Sequence, residues 1–378
     1  MGAMSVTEAE VTAALETVID PEIRRPITDL DMVDSVAVDG DRVAVTILLT
    51  TAGCPLHATI TKDVKEAVGK LDGVAAVDVS MGVMDDDQKK ALREKLNGGR
   101  AEREIPFAQP GSLTRVIAVT SGKGGVGKSS MTANLAAAMA EQGLKVAVMD
   151  ADIYGFSIPR MLGVEHEPQV IDGMIIPPVG VEGIKVMSIG MFVPDGQAVV
   201  WRGPMLHRAL QQFLGDVFWG DLDVLLIDMP PGTGDVAISI AQLLPNSEIL
   251  VVTTPQVAAA EVAERAGSIA GQTRQRVIGV VENMSYLVQP DGSHLEVFGS
   301  GGGASVASRL TAQLGYDITL LGQVPLDIAL REGGDTGRPV ALGEGTAADV
   351  VRDLASTLGQ RARGLAGRPL GVSPVGGR

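Results

Sequence analysis

The stretch "SGKGGVGKSS", residues 121–130, is the strongest indication of the fold class. It fits the pattern G-x-x-x-x-G-K-[ST], follows the apolar run "RVIAVTS" and precedes the helical run "SSMTANLAAAMAEQG". A glycine-rich loop between a strand and a helix lets backbone N–H groups surround a phosphate, and the helix N-terminus adds partial positive charge. We therefore predict a phosphate-binding loop made of Gly122, Lys123, Gly124, Gly125, Val126, Gly127, Lys128, Ser129 and Ser130.

The loop chemistry extends to three aspartates that end apolar runs. Lys128 is expected to reach the β- and γ-phosphates, and Ser129 to offer its hydroxyl to Mg²⁺. Asp228, at the end of "DVLLID", fits the role of holding the Mg²⁺ shell, and Asp150 is expected to help with Mg²⁺ or with loop geometry. A lone aspartate at a strand end is often a helix N-cap, but Asp150, Asp152 and Asp228 beside one phosphate loop favour a site for at least two of them.

Outward from the loop, apolar runs of strand length alternate with helical stretches. The runs are "RVIAVTS", "KVAVMD", "IKVMSIG", "DVLLIDMP", "EILVVTT", "RVIGVVEN" and "ITLLGQVP". Strands that are apolar on both faces and separated by helices indicate a parallel sheet covered on both sides. Residues 113–359 are therefore predicted to form a doubly wound, mostly parallel α/β domain of the phosphate-loop NTPase class.

The flanking segments differ from this domain in composition. Residues 1–96 predict a small α/β domain in the order α-β-β-α-β-α, with a hairpin turned at Asp39-Gly40. Residues 97–112 mix Gly, Pro and charge without periodicity, so we expect a linker that lets the small domain move. Residues 360–378 carry Gly, Pro and Arg with little apolar content and are expected to be disordered.

Charge and cysteine usage restrict the partners and the compartment. The net charge is −15, which disfavours nucleic acid and anionic membrane surfaces as partners. Cys54 is the only cysteine in the sequence, so no intramolecular disulfide can form. No apolar run has the length of a membrane span, and "MGAMSVTEAE" lacks the features of a signal peptide. We expect a cytoplasmic protein without membrane or nucleic-acid partners.

Lys123 adds a second lysine to the loop. The pattern K-G-G-x-G-K-[ST] resembles the deviant Walker A loop of the SIMIBI class of P-loop ATPases. This resemblance implies a homodimer in which Lys123 reaches the phosphates of the partner subunit and stabilises transition-state charge there. It also implies that Asp152 orients or activates the attacking water. The alternative for Lys123 is a solvated loop lysine.

Further segments make the resemblance more specific. "MDADIYGFSIPRMLG", "WRGPM", "IDMPPGTGD", "TTPQ", "VENMSY" and "FGSGGG" resemble the Mrp/ApbC group over most of residues 113–345. "DPEIRRPITDLDMV" and "TTAGCPL" resemble the small iron–sulfur-assembly domain often fused to that group. The resemblance implies an ATP-dependent homodimer that carries iron–sulfur clusters to apoproteins. It places adenine recognition on Asn283, with Pro325 and Asp327 lining the base pocket.

One departure from that group concerns the cluster ligands. In the group a C-x-x-C follows "ENMSY", and two such pairs across the dimer supply four thiolates. Gln289 and Gly292 stand at those positions here, so the bridging cluster site is absent. Cys54 precedes a predicted helix, which favours its thiolate. Two Cys54 thiolates from a dimer, joined by His57, could hold a labile cluster; the alternative is an inert, half-buried thiol.

Three functions remain open at this point. The first is an ATP-hydrolysing iron–sulfur cluster carrier. The second is a nucleotide-gated adaptor without its own cluster, which the missing C-x-x-C favours. The third is a positioning-type ATPase on membrane or nucleic acid, which needs a basic patch or a basic amphipathic helix. The net charge of −15 and a Gly- and Pro-rich tail argue against the third.

Overall fold

A computed structural model describes most of the chain, namely residues 6–50, 56–97, 105–109, 111–153, 155–192, 203–232, 234–256 and 259–359. Cys54 and the tail at 360–378 lie outside the described residues. Apolar side chains gather into three buried clusters, two on the faces of a seven-stranded sheet and one in the N-terminal domain. Within the described part of the chain, no helix is both long and apolar enough to cross a membrane.

The N-terminal domain has the predicted order of elements. Its helices and strands are α1 (Glu8–Leu15), β1 (Val33–Asp39), β2 (Arg42–Leu49), α2 (His57–Gly69), β3 (Ala76–Val83) and α3 (Asp86–Asn97). A capping box between Thr7 and Glu10 starts α1. Strands β1 and β2 form the antiparallel hairpin predicted at Asp39-Gly40, and β3 adds to β2 in parallel. Along β2, buried residues alternate with exposed or half-buried ones, which fits a sheet with one covered face.

The large domain is built on a parallel sheet. Its strands are β4 (Arg115–Thr120), β5 (Val146–Asp150), β6 (Gln169–Ile171), β7 (Met174–Ile176), β8 (Lys185–Ser188), β9 (Val224–Asp228), β10 (Glu248–Thr253), β11 (Arg276–Glu282), β12 (Leu287–Val288), β13 (His294–Leu295) and β14 (Leu320–Gln323). The main sheet has the order β14-β11-β10-β4-β9-β5-β8, and every pairing in it is parallel. The predicted doubly wound fold is confirmed.

Helices cover both faces of this sheet. They are α4 (Lys128–Glu141), α5 (Ile158–Met161), α6 (Gly203–Gly215), α7 (Asp235–Leu243), α8 (Ala259–Thr273), α9 (Gly302–Leu314), α10 (Ile328–Thr336) and α11 (Thr346–Gly359). Side chains of α6 to α9 pack into one buried cluster, and those of α4, α5, α10 and α11 pack into the other. Every residue of β5 and β9 is therefore buried, which is why these strands read as continuous apolar runs.

The small domain packs against the large one through the β6–β7 hairpin. Ile171, Met174 and Ile176 of this hairpin share the buried cluster of the small domain. Phe107, near the end of the predicted linker, is buried in the large domain with its ring 6.2 Å from that of Trp219. Linker composition predicted that the small domain can move, and this stays a prediction. In the structure the two domains share apolar contacts.

Candidate phosphate-binding site

The candidate site lies at the carboxyl ends of the central strands. β4 runs into the loop at 121–127, and β9 and β5 end at Asp228 and Asp150. The chain passes from β4 to β5 on one side and later places β10 on the other side of β4. Ligands of open α/β sheets bind at such a reversal of strand order. The fold therefore brings the predicted loop and the predicted aspartates to one edge of the sheet.

The loop backbone has the conformation that an anion needs. Gly125 and Gly127 have φ of 80° and 79°, in the left-handed region that favours glycine. Gly127 is the N-cap of α4, and a Cβ there would overlap the amide nitrogen of Asn283. Asn283 Nδ2 also donates to the Val126 carbonyl at 2.9 Å. The N-terminus of a long helix and a concave row of amides thus face the same space.

Lys128 and Asp228 form a buried ion pair at the start of α4. Lys128 Nζ donates to Asp228 Oδ2 at 2.6 Å, and Ser129 Oγ donates to the same oxygen at 2.6 Å. The other carboxylate oxygen, Oδ1, accepts from Thr132 Oγ1 at 2.7 Å. Asp228 is fully buried, so these charge-assisted bonds compensate its loss of water. The structure brings together the loop lysine, the loop serine and the aspartate that the sequence singled out.

Asp150 organises the loop that follows β5. Its Oδ1 accepts from the backbone N–H of Asp152 at 3.1 Å, and its Oδ2 accepts from those of Ser157 and Ile158 at 3.0 and 3.2 Å. Burial, followed by repulsion from Asp228, raises the pKa of Asp150 to about 7. These contacts favour the loop-geometry role that was one of its two expected roles.

Asp152 lies in that loop with a local hydrogen bond. Its Oδ1 accepts from the Gly155 backbone N–H at 3.1 Å, which fixes the side chain beside its own turn. Asp152 is half-buried and thus partly accessible to solvent.

Lys123 is held within its own chain. Its Nζ donates to Gln256 Oε1 at 2.6 Å, and Ser121 Oγ donates to the Lys123 carbonyl at 3.0 Å. Arg265 of α8 donates to the Gly122 carbonyl at 2.6 Å. Residues that follow β10 therefore support the first half of the loop, and Lys123 is not a free solvated side chain.

Of the predicted base-recognition residues, Asn283 contacts the loop, where its Nδ2 donates to the Val126 carbonyl. Asn283 Oδ1 is buried and accepts no hydrogen bond within the described residues. The segment around Pro325 pairs with the one after Asn283, because Leu326 N donates to the Tyr286 carbonyl at 2.7 Å. Asp327 is the N-cap of α10, where its Oδ1 accepts from the Ala329 N–H at 2.8 Å. A carboxamide with one unused acceptor can receive a base amino group.

The two positions expected to carry cysteine lie in the β12–β13 hairpin. Gly292 N donates to the Gln289 carbonyl and Gln289 N donates to the Ser293 carbonyl, both at 2.9 Å. Gly292 has φ of 81°, which would strain a cysteine side chain. Neither residue offers a thiolate, and the turn is closed by its own hydrogen bonds. Cys54 lies outside the described residues, so its predicted role stays a prediction.

Sequence reasoning missed Thr132 and Gln256. Thr132 follows Lys128 by one helical turn, and this i, i+4 spacing is the signal that places both on one face of α4. Gln256 ends the "TTPQ" segment after β10, which pairs directly with β4. Only the pairing of β10 with β4 places Gln256 beside the loop, and strand pairing cannot be read from a single sequence.

The donor set at Asp228 fits a magnesium ion. Mg²⁺ is usually bound by one or two protein oxygens together with waters and substrate phosphates. The Ser129 hydroxyl and the Asp228 carboxylate supply such oxygens side by side. A phosphate that draws Lys128 away would leave both of them to the cation. The site can thus balance the charges of a nucleoside triphosphate and its metal.

Comparison with protein families gives two matches along the chain. Residues 112–358 match the family described as NUBPL iron-transfer P-loop NTPase. Residues 8–81 match the family described as iron-sulfur cluster assembly protein. The segment between the two matches, residues 82–111, contains α3 and the predicted linker.

Individual relatives agree with these matches. The iron-sulfur cluster carrier protein of Mycobacterium leprae is 58% identical over 370 residues, covering 97% of this chain and 96% of the relative. That of Synechocystis is 40% identical, covering 90% and 93%. Among solved structures, the nucleotide-binding protein of Archaeoglobus fulgidus in complex with ADP is similar with a TM-score of 0.53 and 38% identity, covering 63% of this chain and 93% of that one.

Proposed function

Since the chain belongs to the family of iron-transfer P-loop NTPases, we propose that it hydrolyses ATP to ADP and phosphate and carries iron–sulfur clusters to apoproteins. The observation that carries this proposal is the buried Lys128–Ser129–Asp228 network at the mouth of a glycine loop. The names of the relatives support an iron–sulfur cluster as the cargo. The ADP complex of the Archaeoglobus protein supports an adenine nucleotide as the ligand.

Nucleotide binding exchanges the partners of Lys128. The β- and γ-phosphates take the ammonium group from Asp228, and the loop amides donate to the phosphate oxygens. Ser129 and Asp228 would hold Mg²⁺, which would neutralise charge on the phosphates. Asn283 Oδ1 accepts from the adenine amino group, beside Pro325 and Asp327.

Hydrolysis needs a positioned water and a stabilised transition state. Asp152 orients the water and takes its proton as the water oxygen bonds to the γ-phosphorus. The bond between the γ-phosphorus and the bridging oxygen breaks, and ADP keeps the electron pair. Lys123 of the partner subunit stabilises the charge on the transferring group, so ATP closes the homodimer. For this, Lys123 must leave Gln256 of its own chain.

A second candidate function is a nucleotide-gated adaptor without its own cluster. The closed turn at Gln289 and Gly292 favours it, because no thiolate stands there. For the carrier function, the Cys54 thiolates of two subunits are the proposed ligands of a labile cluster.

Anaerobic reconstitution with iron and sulfide separates the two candidates. We expect cluster absorption from the wild type and its loss in Cys54→Ala, with ATP turnover retained in both. Absence of a cluster from both proteins would favour the adaptor. A cluster that persists in Cys54→Ala would contradict the role of this thiol.

A further inference from the structure

The contact between the two domains buries charged groups that the nucleotide site does not use. Asp20 and Glu22 of the small domain are each 6% exposed, and Lys185 at the start of β8 is 5% exposed. Burial of ionised groups costs several kcal/mol unless each is paired or neutralised. The small domain can therefore dock only if the charges of these buried groups are balanced.

Gln169 of β6 joins two separate segments of the small domain. Its Oε1 accepts from Thr50 Oγ1 at 3.2 Å, and its Nε2 donates to Glu22 Oε2 at 2.9 Å. Thr50 follows β2, whereas Glu22 lies in the "DPEI" loop after α1. One amide of the large domain thus bridges a hydroxyl and a carboxyl of the small domain.

A cavity of about 20 Å³ lies at this bridge, lined by Asp20, Glu22, Thr50 and Gln169 together with apolar side chains. Such a volume holds about one water molecule. The apolar lining comes from both domains, including Ile171 of the hairpin. An ionised Glu22 would therefore have almost no water around it while the domains are docked.

The charged neighbours of Glu22 do not neutralise it by direct bonds. Burial raises the pKa of Asp20, and the backbone N–H groups of Glu22 and Ile23, which donate to its Oδ1, only partly offset this rise. Lys185 Nζ donates to the Phe218 carbonyl at 3.3 Å and lies 4.7 Å from the Phe218 ring centroid. Burial first, and Asp20 second, raise the pKa of Glu22 to about 7.

Positive groups complete the charge balance at this contact. Arg24 donates to the Gly183 carbonyl of the large domain. The positive charges of Arg24 and Arg25 both lower the pKa of Lys185. Burial, followed by Arg24, lowers the pKa of Lys185 to about 8. Arg24 and Arg25 are exposed, whereas Lys185 is buried. Ionisation of Glu22 therefore sets two buried carboxylates, those of Asp20 and Glu22, against the one buried ammonium group of Lys185.

We propose that Gln169 and protonated Glu22 form a proton-sensitive lock that docks the small domain on the large domain. Protonated Glu22 accepts from Gln169 without placing a second charge beside Asp20. Ionisation of Glu22 leaves this hydrogen bond in place, and the Gln169 donor by itself favours the carboxylate. Burial outweighs it, so ionisation makes separation more favourable, because the separated carboxylate regains water. The lock depends on contacts of the β6–β7 hairpin and is independent of nucleotide chemistry.

The direction of the pH effect follows from the two states of Glu22. In the docked chain burial raises the pKa of Glu22 to about 7, above its ordinary value of 4.5. Separation removes the burial that the large domain supplies, so the pKa falls towards that ordinary value. Docking therefore takes up a proton between these values, is strongest below 4.5 and weakens as pH rises to 7. From pH 6.0 to 7.5 the docking constant should fall by roughly fivefold to tenfold.

Small-angle X-ray scattering of the full nucleotide-free chain tests the lock at pH 6.0 and 7.5. We expect the radius of gyration of the wild type to rise with pH. Gln169→Ala should be expanded at both pH values, because it removes the bridge. Glu22→Gln should stay compact at both, because it mimics the neutral carboxyl. The exposed Glu16→Gln serves as the matched control and should behave like the wild type.

Urea unfolding followed by circular dichroism checks that each variant is folded and measures the linkage directly. The folding constant of the wild type should fall fivefold to tenfold relative to Glu22→Gln over the same pH interval. Wild-type scattering that is unchanged with pH, or Gln169→Ala as compact as the wild type, would overturn the lock.

Discussion

The phosphate-loop cluster and the interdomain cluster both bury a carboxyl group beside a lysine, yet they balance charge in different ways. Lys128 donates directly to Asp228 at 2.6 Å, and two hydroxyl groups complete the carboxylate's bonds. Glu22 is bonded by the neutral amide of Gln169, and Lys185 is bonded elsewhere. Opposite charge stabilises the first cluster, whereas we propose that a bound proton stabilises the second.

The first cluster is therefore suited to binding charged ligands, whereas the second is suited to binding and releasing a proton. An anionic phosphate can take Lys128, and a cation can then take Asp228, so the first cluster is suited to a charged ligand. The second cluster has no such exchange partner, and its enclosed cavity admits about one water molecule. Substitutions in the two clusters should therefore change different measurements.

The largest effect is expected from Lys128→Ala. It removes the ammonium group that is proposed to bind the β- and γ-phosphates, so ATP turnover should fall by at least about a hundredfold. A coupled phosphate-release assay measures this loss. Lys145→Ala, which removes an exposed lysine before β5, is the control and should retain turnover. Equal turnover in both variants would contradict the assignment of the loop.

A smaller effect is expected at Lys123. Lys123→Ala should lower turnover by about tenfold or more while ATP binding is kept, because the lysine acts on the transition state. Gln256→Glu should also lower turnover, since a carboxylate holds the ammonium group in its own chain more strongly than an amide does. In the Lys123→Ala background Gln256→Glu should add nothing. Additive losses in this cycle would contradict the proposed competition between Gln256 and the partner subunit.

Thr132→Val tests the support of Asp228. The change keeps the shape but leaves the buried Oδ1 without its hydroxyl donor, which should cost about 1–3 kcal/mol of stability. Urea unfolding measures it. Thr357→Val is the matched control, because Thr357 is an exposed helical threonine bonded to the carbonyl four residues earlier. A loss no greater than in the control would contradict the role of Thr132.

The smallest effect on turnover is expected from Glu22→Gln. ATP turnover at pH 7.5 should stay within about twofold of the wild type, since Glu22 lies outside the nucleotide site. Stability should change in its pH dependence instead. Between pH 4.5 and 7 the wild type should lose up to about 1.4 kcal/mol per pH unit relative to Glu22→Gln. Parallel stability curves would contradict the raised pKa.

The large sheet and the loop followed from local sequence because each depends on local chemistry. Seven apolar runs became the seven strands of the sheet, since parallel strands are buried on both faces. Lys128, Ser129 and Asp228 met because carboxyl ends of parallel strands share one edge. The contact partners of these residues were harder to predict from the sequence. Gln256 touches Lys123 only because β10 lies beside β4, and strand order is not encoded in any single stretch.

The domain contact could not be predicted for a related reason. The β6–β7 strands are three residues each, too short to show a periodicity. The structural role of their apolar side chains is visible only in the folded chain, where the small domain covers them. Glu22 in "DPEI" likewise gave no sign of a raised pKa, because burial and the distance to Asp20 are properties of the folded chain.

Isothermal titration calorimetry with Mg²⁺ present, using ATP and ADP in separate runs, tests whether the loop at 121–130 binds a nucleotide. The intact wild-type protein should bind both nucleotides, and Lys128→Ala should bind ATP far more weakly while Lys145→Ala binds like the wild type. No heat of binding from the folded wild-type protein with either nucleotide would contradict the assignment of residues 121–130 as the phosphate-binding loop.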